Sequence, residues 1–222
     1  MTEPTLSGTA LLELREHFEN PEQQRETASI GMWVFLITEV MMFGALFTGF
    51  TVYRLSNPAA FDEGSKEMTI VLGAVNTALL ILSSFTMSLG TYFCSIGKTR
   101  LLSYFLILTM VIGAVFIGIK FTEYYLHWQD HKVPGFWFEY HGADARAVQM
   151  FYVFYFILTG LHVVHMTIGI GILLVMLWRN LLGSFSATYH TPVDLAGVYW
   201  SFVDIIWIFL FAIFYIPGLH LR

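Results

Sequence analysis

The chain has 222 residues, of which 56% are hydrophobic and 12% charged, and it carries a formal net charge of −5. Soluble domains run at about 45–50% apolar and about 25% charged, so this composition excludes an ordinary water-soluble globule and points to lipid as the solvent. The acidic balance and the scattered Lys and Arg exclude nucleic acid as a partner, and the single cysteine, Cys94, excludes an internal disulfide framework and any cysteine-rich metal or iron–sulfur site.

Residues 1–29 carry Glu3, Glu13, Glu16, Glu19, Glu22 and Glu26 and no apolar run. They read as a polar N-terminal tail, with a short surface helix over Leu11–Phe18, and not as a cleavable signal peptide. A spanning helix needs about 20 mainly apolar residues, because the hydrocarbon core is about 30 Å thick and each helical residue rises 1.5 Å. The gaps between charges supply five such stretches. The first lies at about 30–53, where Glu39 is the only charge between Glu26 and Arg54. The second and third, at about 69–93 and 101–126, are uncharged between Glu67 and Lys98 and between Arg100 and Lys120. The fourth, at about 148–178, has no charge between Arg146 and Arg179 if His162 and His165 are neutral. In the fifth, at about 196–216, Asp204 is the only charge.

The expected organisation is therefore all-α: an integral membrane bundle of five transmembrane helices over 30–217, with 218–222 as a C-terminal tail. Trp33, Trp128 and Trp178 fall near span ends, where amphipathic aromatics sit at the interface. The long loop 127–147, with Pro134, Gly135 and the run Phe136, Trp137, Phe138, is expected to fold over the outer surface. Arg15, Arg25, Lys98, Arg100 and Arg179 lie on the N-terminal side of the membrane, against Arg54, Lys66, Lys132, Arg146 and Arg222 on the other. That tie is broken by the acid-free Gly97-Lys98-Thr99-Arg100 connection, which favours a cytoplasmic N-terminus. No fixed-period repeat and no inverted pair of broken helices suggests a transporter.

Ionisable groups inside a bilayer are costly, and each needs a partner, a pathway or an interface. The set is Glu39, Lys120, Glu123, His162, His165 and Asp204. Lys120 and Glu123 are three residues apart and share a helix face, so a local ion pair is the plain reading. Glu39 and Asp204 each lie about 12–14 Å deep from the N-terminal side and His165 about 20 Å, which permits a cluster of Glu39 with His165 or with Asp204. Functionally these carboxylates are protonatable or interface-anchoring groups; the bland alternative is a hydrogen-bonded acid kept neutral by its apolar surroundings. His162 and His165 invite a haem or metal reading, but no second central histidine faces them, and polar contact between helices is the simpler role. His127 and His131, four residues apart, are spaced to clip a surface ion. Gly44, Ala45 and Gly49, then Gly73, Asn76, Thr77, Ser83 and Ser84, then Gly169 and Gly171 form small-residue stripes suited to close helix packing. Phosphate loops, nucleophile elbows and zinc-protease patterns are absent from the sequence. Catalytic, cofactor-binding and metal residues are thus expected to be none in this chain.

Four segments carry a resemblance. They are Gly31 to Gly44 around Glu39, Thr122-Glu123-Tyr124-Tyr125, Thr159 to Gly169 with His162 and His165, and Tyr199-Trp200-Ser201-Phe202-Val203-Asp204 through Trp207. In this order, one per expected helix, they resemble the signature stretches of haem-copper terminal oxidase subunit III, over about residues 28–217. The resemblance implies that Glu39, Glu123, His162, His165 and Asp204 are the family's characteristic buried polar residues. It also implies a subunit with no redox centre of its own, haem and copper residing in partner subunits. Such a subunit packs on the catalytic subunit I beside subunit II, binds membrane phospholipid in a cleft, and supports proton uptake while the complex reduces oxygen to water and pumps protons. The implied location is the bacterial inner (plasma) membrane. Two departures stand out: longer members have two additional N-terminal helices, and position 201 is serine where the family often has histidine.

Competing readings are an accessory subunit associated with nitric oxide reductase and an independent proton-coupled transporter using Glu39 and Asp204. A catalytic oxidase subunit is disfavoured, because the chain lacks the several histidines that haems and copper require.

Overall fold

The computed structural model describes residues 20–135, 137–140, 142 and 144–220. The expected surface helix over Leu11–Phe18 and the loop residue Phe136 lie outside them. In chain order the helices are α1 (Pro21–Ser56), α2 (Pro58–Lys66), α3 (Ile70–Ser95), α4 (Thr99–Gln129), α5 (Ala145–Leu181), α6 (Thr191–Phe214) and α7 (Pro217–His220). Among the described residues, five helices are long and apolar enough to cross a membrane: α1, α3, α4, α5 and α6. Helices suit that solvent because every backbone hydrogen bond is closed within the segment.

α1 starts well before the apolar stretch. Asn20 accepts from Gln23 N at 2.8 Å, and Pro21 opens the first turn, so a capped polar helix feeds directly into the span. α3 and α4 form a tight antiparallel pair, turned at Gly97, whose φ of 74° is a left-handed conformation glycine adopts without strain. α6 lies between α3 and α5 and is the central helix: 44% of its most apolar window is buried, against 11% for α1, which leans on α5 and α6 from outside.

The polarity of the bundle is inverted relative to a soluble protein. Ile37, Met41, Phe85, Val111, Leu174 and Phe209 are exposed, while Asn76, Ser83, Thr109, Lys120, Thr159 and His162 have no accessible surface. Lipid tails are as apolar as leucine, so helix association rests on close packing and internal hydrogen bonds. Trp200 shows the packing requirement. A Cβ on Gly113 would stand 2.9 Å from its ring and one on Gly169 would stand 3.1 Å away, so two glycines form its slot. Gly113→Ala is expected to cost about 1–3 kcal/mol. Gly118→Ala, where a Cβ meets nothing within 4 Å, should stay within about 0.5 kcal/mol. Thermal midpoints of the two purified variants check the contrast.

On the side away from the N-terminus, α2 closes the bundle. Phe50 of α1, Phe61 of α2, Phe151 of α5 and Phe214 of α6 meet edge-on or tilted at 5.0–6.4 Å. Ser65 donates to the carbonyl of Phe214, satisfying a group at the end of α6. α4 runs to Gln129 and α5 begins at Ala145, so the connection is shorter than 127–147; within it Glu139 N donates to His131 O at 3.0 Å and Phe138 packs against Tyr152.

Candidate functional site

Three polar centres lie inside the bundle. The first joins α1 to α5. His165 Nδ1 lies 2.7 Å from the carbonyl oxygen of Leu161, which can only accept, so Nδ1 carries a proton. His165 Nε2 lies 2.9 Å from Glu39 Oε2. A hydrogen bond there needs one proton between them, held either by the carboxyl or by the imidazole. In both arrangements the pair is neutral as a whole, which is the form a bilayer interior tolerates. Tyr199 of α6 donates to the backbone oxygen of His165 at 3.0 Å. The pair lines a groove of about 480 Å³ between α1, α5 and α6, walled by Met32, Phe35, Ile168, Ile172 and Leu195 and reaching Pro192 at the start of α6.

The second centre joins α6 to α3. Ser84 donates to Asp204 Oδ2 at 2.6 Å, and Ser83 Oγ lies 3.0 Å from the same oxygen. Ser83 also accepts from Trp200 Nε1 at 3.0 Å and sits 2.9 Å from Leu80 O, so its single proton has two acceptors in reach. α1 and α6 run side by side, Phe35 meeting Tyr199 at 6.0 Å and Phe47 meeting Phe209 at 6.3 Å, which sets Glu39 and Asp204 at similar heights. They are nonetheless bonded on different faces, Glu39 to α5 and Asp204 to α3.

The third centre lies near the other end of α4. The Lys120 ammonium donates to Glu123 Oε2 (2.8 Å), the Tyr155 hydroxyl (2.8 Å) and the Tyr215 hydroxyl (3.2 Å), and Tyr215 donates to Glu123 Oε1 (2.7 Å). All three lysine donors are used, and both carboxylate oxygens accept. The rings of Tyr124, Tyr155, Trp207 and Tyr215 stand 4.8–5.9 Å from the ammonium and add cation–π attraction. Tyr124 donates to Thr159 at 2.7 Å, tying α4 to α5 a second time. Farther out, Tyr152 donates to Glu67, whose carboxylate also holds Lys132 at 2.6 Å.

His162 is fully buried between Phe116 (5.4 Å) and Trp207 (5.2 Å), and its ring nitrogens have no hydrogen-bond partner among the described residues. Both nitrogens of His165 are engaged. His165 therefore makes the polar contact between helices that its place in the sequence suggests, whereas His162 packs between rings without a polar partner among the described residues. His127 is enclosed by Tyr152, Tyr155 and Phe156, whereas His131 is an exposed loop residue with φ 52°, so the two do not share a surface. Among the described residues no three His, Cys, Asp or Glu side chains converge on one point.

Helical spacing pointed to the Lys120–Glu123 pair, but Tyr155 and Tyr215 come from 35 and 92 or more residues away and carried no local signal. Ser83 and Ser84 stood among the small packing residues, and their hydrogen bonds to Asp204 depend on how α6 is rotated.

The family described as cytochrome c oxidase subunit III matches residues 17–219. Among individual relatives, a cytochrome c oxidase subunit 3 from Thermostichus vulcanus is 33% identical over 210 residues, 94% of each chain. A cytochrome c oxidase subunit 3 from Synechocystis sp. is 32% identical over 187 residues, 84% of this chain and 74% of the relative. A quinol oxidase subunit 3 from Bacillus subtilis is 32% identical over 206 residues, 89% of this chain and 92% of the relative.

Proposed function

We propose, from the premise that this chain belongs to the cytochrome c oxidase subunit III family, that it is the multi-pass subunit of a respiratory haem-copper oxidase that stabilises the catalytic subunit and supports its proton uptake. The observation that carries the proposal beyond the family is the Glu39–His165 pair. A carboxyl and an imidazole sharing one proton, beside a groove that reaches the start of α6, form a neutral protonatable site between two membrane-spanning helices. The apolar walls of that groove suit the acyl chain of a membrane phospholipid. Haem and copper belong to partner subunits in this reading, with subunit I as the surface on which the bundle packs and subunit II beside it. The membrane is the bacterial plasma membrane, with the N-terminus on the cytoplasmic side.

The test is purification through a C-terminal tag in mild detergent, recording the optical spectrum, the subunit masses and the electron donor oxidised. The expected result is a haem-containing complex with a large catalytic subunit and oxygen-consuming activity, cytochrome c or quinol being identified by which one it oxidises. A colourless chain purified alone would overturn the proposal and favour the transporter reading. Copurification with a nitric oxide-reducing subunit would overturn the oxygen assignment alone.

A further inference from the structure

The loop after α5 turns into α6 at His190, and the first turn of that helix brings His190 and Asp194 together. His190 O accepts from Val193 N at 2.9 Å and from Asp194 N at 3.1 Å, so one helical turn fixes the two residues relative to each other. Pro192, with its fixed φ, stiffens that turn. His190 Nδ1 stands 3.0 Å from the carbonyl oxygen of Ala187, which can only accept, so Nδ1 carries a proton. Nε2 faces Asp194 Oδ2 at 3.4 Å, and the two side chains are 22% and 38% exposed, within reach of a solute.

We propose that His190 Nε2 and Asp194 Oδ2 are the two protein ligands of a divalent d-block cation of the zinc class, with water in the remaining positions. Three features carry it. The 3.4 Å separation exceeds the roughly 2.7–2.9 Å of a charge-assisted N–H···O bond. Two ligands each about 2.0–2.1 Å from a tetrahedral zinc, by contrast, stand about 3.3–3.4 Å apart, so the pair meets that geometry without moving. With Nδ1 protonated, Nε2 of a neutral ring is a lone pair beside a carboxylate. Two acceptors then face each other, and a cation between them turns repulsion into two bonds. Finally, an Nδ1–H held by a backbone carbonyl is the arrangement that orients a metal-ligating imidazole. The imidazole also selects the class of ion: magnesium and calcium take oxygen ligands, whereas a nitrogen beside a carboxylate suits zinc. Arg25 lines the same pocket as Asp194 and opposes a second cation there, so the ion exchanges with solution and is not a permanent structural zinc. The i,i+4 spacing that suggested a surface clip at His127 and His131 is thus found at the start of α6 instead.

The experiment takes the purified protein with whatever subunits accompany it, strips loosely held metal with a chelator, and equilibrates it with radioactive zinc over a concentration series in excess magnesium. Zinc is counted per mole of this chain, so the readout is the same whether or not haem copurifies. The wild type is expected to bind one zinc that His190→Gln and Asp194→Asn each weaken by at least about tenfold, the least that losing even an outer-shell partner of a metal costs. Arg25→Gln should tighten the same ion, because the opposing charge is gone. Optical spectra and subunit masses matching the wild type establish that the variants are assembled. Either ligand variant binding zinc as the wild type does would overturn the proposal and leave His190 and Asp194 as an ion pair at a helix start. Magnesium displacing the zinc, or Arg25→Gln binding it more weakly, would overturn it as well.

Discussion

Replacing Lys120 with Met alone is expected to destabilise the bundle by about 3–5 kcal/mol, whereas the double change Lys120→Met with Glu123→Leu should recover most of that loss. Lys120 has no accessible surface and Glu123 has 2%. Removing the ammonium leaves the buried Glu123 carboxylate with a single protein donor, Tyr215. The cost is that of an uncompensated buried charge, which exceeds the net worth of the pair itself. Removing both charges leaves the rings of Tyr124, Tyr155, Trp207 and Tyr215 around apolar replacements of similar volume, and the buried Tyr155 and Tyr215 hydroxyls, which lose Lys120 and Glu123 as partners, account for the part of the loss that is not recovered. The measurement is the thermal midpoint of the purified complex for the two single variants and the double. If the double variant is as unstable as Lys120→Met, the ion pair is required for a reason other than mutual neutralisation. If Lys120→Met is close to wild type, the 2.8 Å contact contributes nothing that tyrosine hydroxyls cannot replace.

The five spans were legible because charge is so expensive in hydrocarbon that its absence marks each crossing, and the Lys120–Glu123 pair was legible because a helix fixes i,i+3 neighbours. α2 was not. Its nine residues, with Asp62, Glu63 and Lys66 among them, produce no long apolar run, and its place depends on Phe61 and Ser65 meeting α5 and α6. Depth along a helix left His165 and Asp204 both open as partners of Glu39. The choice turns on rotation about the helix axes: α6 directs Asp204 to the α3 serines, and α5 directs His165 to α1. Rotation is set by side-chain packing such as Trp200 in its two-glycine slot, which involves residues far apart in the chain. The tyrosines around Lys120 were hidden for the same reason, lying within aromatic runs whose individual facing a single sequence does not reveal.

Glu39→Gln is expected to leave the assembled complex within about 0.5 kcal/mol of wild type, while Glu39→Leu costs about 1–3 kcal/mol. With Nδ1–H donated to Leu161 O, Nε2 of a neutral His165 is an acceptor, and the glutamine amide can donate to it where the carboxyl did. Leucine offers no donor and leaves Nε2 unpaired, with His165 only 12% exposed. The glutamine variant therefore keeps the tie between α1 and α5 and removes the proton the pair can exchange. Thermal midpoints of the purified complexes report the tie, and activity followed through continuous turnover reports the proton. Under the proposed role, Glu39→Gln retains wild-type heat resistance but inactivates sooner during turnover. If it matches wild type in both measurements and only Glu39→Leu is impaired, the pair acts solely as polar contact between two helices. Because α1 leans on the bundle from outside, losing that contact would then show first as separation of α1 from α5, opening the groove that the pair now lines.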